Sequence, residues 1–102
     1  MSIVGIIQAR MNSTRCPGKV MRQVKGQPLI GYTIDRVLVV PGFSHVVVAI
    51  PACDAGSLLA EYVAKRRDAT LYVGGAENDL VERFSGVIAL TGCDAFIRIC
   101  GD

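Results

Sequence analysis

Arg10, Arg15 and Lys19 are spaced over ten positions in the stretch IIQARMNSTRCPGKV, residues 6–20, together with the hydroxyls of Ser13 and Thr14 and with Gly18. No Asp or Glu precedes Asp35, whereas five basic residues (Arg10, Arg15, Lys19, Arg22, Lys25) fall in the same span, a local field that the net charge of +2 conceals. Cations and hydroxyls around a glycine that admits close backbone approach suit a polyphosphate. A triphosphate carries about four negative charges, and each cation held ~4 Å away is worth on the order of 4 kcal/mol before desolvation at an effective dielectric near 20. The stretch is neither a GxxxxGK[ST] phosphate loop nor a GxGxxG dinucleotide loop. On spacing alone, a solvated basic loop between strand and helix is the rival reading.

The elements that must position this loop follow from periodicity. Residues 3–8 form a short β-branched run of the kind buried on both faces of a parallel sheet. After the loop, Gly26 and Pro28 break the chain, with the proline suited to a first helical turn, and Ile30, Ile34, Val37 and Leu38 recur at helical spacing until Pro41-Gly42. Residues 46–50 read as a second strand. Leu58, Leu59, Tyr62 and Val63 mark a second helix with Lys65, Arg66 and Arg67 at its C-terminus, where cations suit the dipole. Residues 70–73 form a third strand, Leu80, Val81, Phe84, Val87 and Ile88 a third helix, and residues 96–100 a fourth strand ending at Gly101-Asp102.

This β-α-β-α-β-α-β succession specifies an α/β fold, a four-stranded parallel sheet with right-handed crossovers and three helices, in strand order 3-2-1-4. Strands one and four are then neighbours at the switch point, so the loop after Gln8 and the terminal Asp102 converge on one crevice. Two helices cover one face and one covers the other, which leaves an exposed apolar patch and a bare edge on strand four.

A chain of 102 residues is at most one domain, spanning 1–102, and buries roughly two-thirds of the surface its unfolded form exposes. It is 51% apolar, rich for a small domain, which suggests a homo-oligomer or a missing C-terminal half. Cys16, Cys53, Cys93 and Cys100 show no CxxC pairing and no leader opens the chain, which points to a reducing cytoplasm with the cysteines as small buried residues. His45, the single histidine, argues against zinc. No apolar run reaches the ~18 residues of a membrane span, and the charge outside the first third is balanced, so neither a membrane nor nucleic acid is the expected partner.

The string QARMNSTRCPGKV, with Pro17-Gly18-Lys19 closing it, resembles the nucleotide-binding signature of the CMP-sugar cytidylyltransferases. The likeness is strongest to the spore coat polysaccharide biosynthesis cytidylyltransferases, with the CMP-Kdo and acylneuraminate enzymes as cousins. It continues through VVVAIPACDAG, GGAENDLVERF and FIRICGD and so covers the whole chain. The resemblance implies a three-layer, Rossmann-like nucleotide-diphospho-sugar transferase fold, truncated here. It implies that CTP and a sugar acceptor are the partners, and that a sugar hydroxyl attacks the α-phosphorus of CTP to release pyrophosphate. It further implies that Gln8 and Ala9 contact the nucleotide, and that Arg10, Ser13, Arg15, Gly18 and Lys19 bind it. Arg10 and Lys19 would stabilise the charge of the departing pyrophosphate, and Asp102 would hold Mg²⁺, since one carboxylate suffices when substrate oxygens and water complete an octahedron. Cys16 stands where the family usually has leucine, and Ala52-Cys53 where it has a more polar pair. Family members run to more than twice this length, so the expectation is a nucleotide-binding portion incomplete as a catalyst.

Other residues stay open between two roles. Asp54 shapes the base or ribose pocket, or caps a helix. Glu77, Asp79, Glu82 and Arg83 lie near the nucleotide in the family, yet capping and i,i+4 pairing explain them equally well. Arg98 points from a buried strand and should find a carboxylate or a substrate, the structural ion pair being favoured, and His45 reads as a helix-to-strand connector rather than a base. The rivals are a nucleotidyltransferase using another base, whose loop would carry more glycine, and a non-catalytic module using the bare edge.

Overall fold

The computed structural model describes residues 1–12 and 17–101. Its main sheet has β1 (Ile3–Gln8), β4 (His45–Ile50), β5 (Thr70–Val73) and β6 (Ala95–Cys100) in the order β5-β4-β1-β6, all parallel. Numbered among themselves, these strands stand in the expected order 3-2-1-4. The helices α1 (Leu29–Leu38), α2 (Leu58–Lys65) and α3 (Leu80–Thr91) make the three crossovers.

Residues buried on both faces explain why β1 and β4 sit in the centre. Ile7, Val46, Val48 and Ile50 pack under Ile30, Ile34 and Val37 of α1 and Leu59, Ala60 and Val63 of α2. Val4, Ile6, Val47 and Ala49 face the other way, against Val87 of α3, with Tyr72, Phe84 and Cys93 partly buried around it. With each fully buried aliphatic side chain worth about 1.5–3 kcal/mol, the two-helix face carries most of the hydrophobic stabilisation and α3 covers its own face thinly. Phe96 and Ile97 of β6 remain 38% and 53% exposed, which is the bare edge that the two-against-one helix count requires.

Three readings are corrected. Between β1 and α1 lie a 3-10 turn, Lys19–Met21, and a small antiparallel hairpin of β2 (Gln23–Val24) and β3 (Gln27–Pro28), so Pro28 closes a strand and the helix begins one residue later. Lys25 and Gly26 both adopt positive φ, 52° and 82°, as the tight two-residue turn of a hairpin demands. Leu58 and Val81 lie outside their helices' buried faces, 64% and 78% exposed, because the buried positions run through Leu59 and Ala60 in α2 and through Arg83 and Val87 in α3. Finally, Cys53 and Cys100 are exposed, on a connecting turn and on the bare strand, whereas Cys93 is half-buried at the exit of α3, where it packs against the core.

Candidate functional site

Because all four strands are parallel, the connections after Gln8, Ile50, Val73 and Cys100 emerge at one edge of the sheet, where open α/β sheets bind ligands. The loop leaving β1 is tied down at three points. The Ala9 amide donates to the Ala49 carbonyl at 3.2 Å, the Met11 amide donates to Asp54 Oδ2 at 2.9 Å, and the Gly18 amide donates to the Met11 carbonyl at 2.7 Å. This last bond brings Met11 and Gly18 together, with Gly18 left-handed at φ 74°, and Lys19 follows as the exposed first residue of the 3-10 turn. Ala9 is buried and Gln8 half-buried at the root of the loop.

Asp54 is 6% exposed, and its carboxylate serves the loop rather than a helix. The cap of α2 is Ser57, whose hydroxyl accepts from the Ala60 amide, so the capping alternative for Asp54 is set aside. Asp79 does cap α3, accepting from the Glu82 amide at 3.0 Å.

Arg83, 1% exposed, is the largest fully buried side chain, and pairing on a helix surface does not describe it. Its guanidinium donates to the carbonyls of Gly74, Ala76 and Glu77 at 3.2, 2.8 and 3.1 Å and so fixes the loop after β5 from beneath. On that loop Glu77 reaches Arg10, with Oε1 3.9 Å from Nη1. The absence of acidic residues around the basic loop therefore holds along the sequence and not in space: folding brings Asp54 and Glu77 to it. Arg83 was legible in principle, since it stands three residues after Leu80 and four before Val87, on the apolar side of α3.

On the other flank, Gly101 is buried and its amide donates to the Gln8 carbonyl at 2.8 Å, so the exit of β6 lies directly beside the exit of β1. A cleft of about 440 Å³ opens there, lined among others by Lys19, Lys25, Tyr32, Arg36, Cys100 and Gly101; among the described residues its lining holds three cations and no carboxylate. Gln8 at the end of β1, Ala9, Arg10 and Gly18 in the loop, and Lys19 opening the 3-10 turn thus all lie on the connection that leaves β1 at the carboxyl edge. Ser13, Arg15, Cys16 and Asp102 lie outside the described residues. Among the described residues no group of three His, Cys, Asp or Glu side chains converges as a metal site, and no helix is long and apolar enough to cross a membrane.

Comparison with known proteins matches this architecture. The chain is 34% identical over 105 residues to a 3-deoxy-manno-octulosonate cytidylyltransferase of Bdellovibrio bacteriovorus, covering 100% of this chain and 40% of the relative. It is 31% identical over 104 residues to the spore coat polysaccharide biosynthesis protein SpsF of Bacillus subtilis, covering 98% of this chain and 42% of that protein. Among solved structures, CMP:2-keto-3-deoxy-manno-octonic acid synthetase complexed with CTP superposes with a TM-score of 0.82 at 25% identity, over 100% of this chain and 41% of that one. A cytidylyltransferase from Leptospira borgpetersenii gives 0.85 at 30% identity, over 100% and 42%. The chain thus spans about 40% of the length of the relatives it matches. The Cytidylyltransferase family model matches residues 4–102, and with the basic loop, the sheet order and the shared fold in agreement, the chain belongs to the cytidylyltransferase family.

Proposed function

We propose that this chain is the CTP-binding portion of an enzyme that transfers CMP from CTP to a sugar, acidic or otherwise, in the synthesis of a surface polysaccharide. The reading is carried by the bond between the Gly18 amide and the Met11 carbonyl, which draws the flanking Arg10 and Lys19 together at the carboxyl edge of a fold shared with a synthetase whose structure holds CTP. Arg10 and Lys19 engage phosphate oxygens and offset the charge that builds on the departing pyrophosphate as the sugar hydroxyl attacks the α-phosphorus. Ser13 and Arg15 complete the phosphate contacts, and Gln8 and Ala9 line the nucleoside side.

Magnesium belongs to the same proposal. Asp102 would hold it together with phosphate oxygens and water, a donor set that suits a hard cation; when bound, the ion neutralises triphosphate charge. The bond from Gly101 to Gln8, one residue away, supports this assignment. Since the relatives are about two and a half times as long, the 102-residue chain alone is expected to bind CTP without turning it over. The exposed β6 edge supports a further chain segment or a second copy as its covering partner, and a cytoplasmic setting fits a CTP-consuming enzyme.

Calorimetric titration with CTP and magnesium tests the reading. Arg10→Ala and Lys19→Ala are each expected to weaken binding about 10- to 100-fold, the worth of one charge-assisted hydrogen bond. Folded protein that does not bind CTP, or that binds equally well after both substitutions, overturns it. Competition among the four nucleoside triphosphates checks the base; preference for GTP or UTP would redirect the assignment to another nucleotidyltransferase.

A further inference from the structure

Resting on the phosphate-binding reading of Arg10, we propose that Glu77 is an intramolecular counter-anion that occupies Arg10 in the ligand-free chain and that polyphosphate must displace, so that it sets the anion affinity of the loop. The geometry is that of a pair held close but unsatisfied. Arg10 Nη1 and Glu77 Oε1 lie 3.9 Å apart, beyond hydrogen-bond reach, with the side chains 41% and 32% exposed. Glu77 Oε1 itself is fully buried and accepts no hydrogen bond from any described group. A carboxylate oxygen that has lost water without gaining a donor is costly, so the attraction to Arg10 is bought at a desolvation penalty and is easily exchanged. A phosphate oxygen offers the guanidinium what Glu77 does not, a charge-assisted hydrogen bond at proper length.

Both partners stand on fixed backbone. Bonds from Ala9 to Ala49 and from Met11 to Asp54 hold the segment on either side of Arg10. Arg83 holds the Glu77 carbonyl, along with those of Gly74 and Ala76. The exchange is therefore a movement of two side chains over a rigid edge, and it leaves the fold unaltered. Among the described residues Glu77 is the one carboxylate within 4.0 Å of Arg10, so removing its charge leaves Arg10 available to an incoming anion.

The test is titration of the 102-residue chain with inorganic tripolyphosphate at low ionic strength, without metal. Glu77→Gln is expected to tighten binding about three- to fivefold, the upper range for a part-exposed ion pair, and the gain shrinks as salt is raised. Because the Glu77 carbonyl and not its side chain is bound by Arg83, both Glu77→Gln and a second variant, Glu77→Ala, keep the loop anchored, and both are expected to act alike. In an Arg10→Ala background the Glu77→Gln gain disappears, which a merely structural role for Glu77 would not produce. If Arg10→Ala weakens binding while Glu77→Gln and Glu77→Ala leave it unchanged or weaken it too, the counter-anion role fails and the phosphate role of Arg10 stands. If Arg10→Ala has no effect, both fall.

Discussion

At the scale of single residues, the site is organised by two side chains that carry charge and touch backbone. Asp54 accepts the Met11 amide and Arg83 satisfies three carbonyls of the loop after β5. Truncating Arg83 to methionine fills most of its volume but takes a donor from each of those carbonyls; the Ala76 carbonyl keeps the Asp79 amide at 3.0 Å, while the other two each lose a hydrogen bond from a charged donor, worth about 1.5–3 kcal/mol. Arg83→Met is expected to destabilise the chain by about 3 kcal/mol in urea unfolding and to lower amide protection in residues 74–79. A loss below about 1 kcal/mol would mean that the loop holds itself. These roles were only half legible in the sequence. The cations of the β1 loop stand out by their spacing, and the cap at Asp79 follows from its place before Leu80. The acids that fold back onto the loop do not, because a contact between Arg10 and Glu77 exists only once β4 and β5 are stacked beside β1.

Among the elements, the four strands and three helices were legible because each carries its own period, whereas the β2/β3 hairpin was not. With two residues per strand it has no room for alternation, and its only signal is the Lys25-Gly26 pair, both left-handed, at the turn. β1 and β6 pair from Ile3↔Ala95 to Gln8↔Cys100, and at their exits the chains make one especially close approach. A β-carbon on Gly101 would lie 2.8 Å from the Gln8 carbonyl oxygen and 3.2 Å from both Ala9 Cβ and Ile30 Cδ1. The first of these is backbone already bonded to the Gly101 amide, so it cannot yield without opening the strand pair. Gly101→Ala is therefore expected to cost about 1–3 kcal/mol, as overpacking in a tight core does, and to shift the NMR signals of Gln8 and Ala9. Unchanged signals there would show that the two exits are not mechanically joined.

The molecule as a whole has one well-covered face, one thinly covered face and an uncovered edge. On the well-covered face the Arg66 guanidinium links elements far apart in sequence, donating to Asp35 of α1 at 2.7 Å, to Asp68 at 2.8 Å, to the Tyr62 hydroxyl at 3.2 Å and to the Gly31 carbonyl at 3.4 Å. These hydrogen bonds hold the carboxyls of Asp35 and Asp68 below their ordinary value of 3.8 and hold Arg66 further into its charged form. A carboxyl with a depressed folded-state pKa stabilises above its unfolded value and loses that contribution as pH falls through the folded one. Both acids are about half exposed, so the linkage is modest, about 1 kcal/mol. Thermal melts of the wild type and Arg66→Met are expected to differ by this margin above about pH 4 and to converge as pH drops well below 3.8. Parallel curves down to pH 2 would place the effect of Arg66 in packing alone.

The buried position of Arg83 has an electrical consequence. Its bonds run to neutral carbonyls, and no described carboxylate lies within 4.0 Å of it, so a full positive charge is embedded behind the loop that faces Arg10. Mobile ions screen an embedded charge less than an exposed one. If the proposed phosphate role of Lys19 and Arg10 holds, they form the salt-sensitive part of an anion trap and Arg83 its fixed electrode, present at any ionic strength in which the chain stays folded.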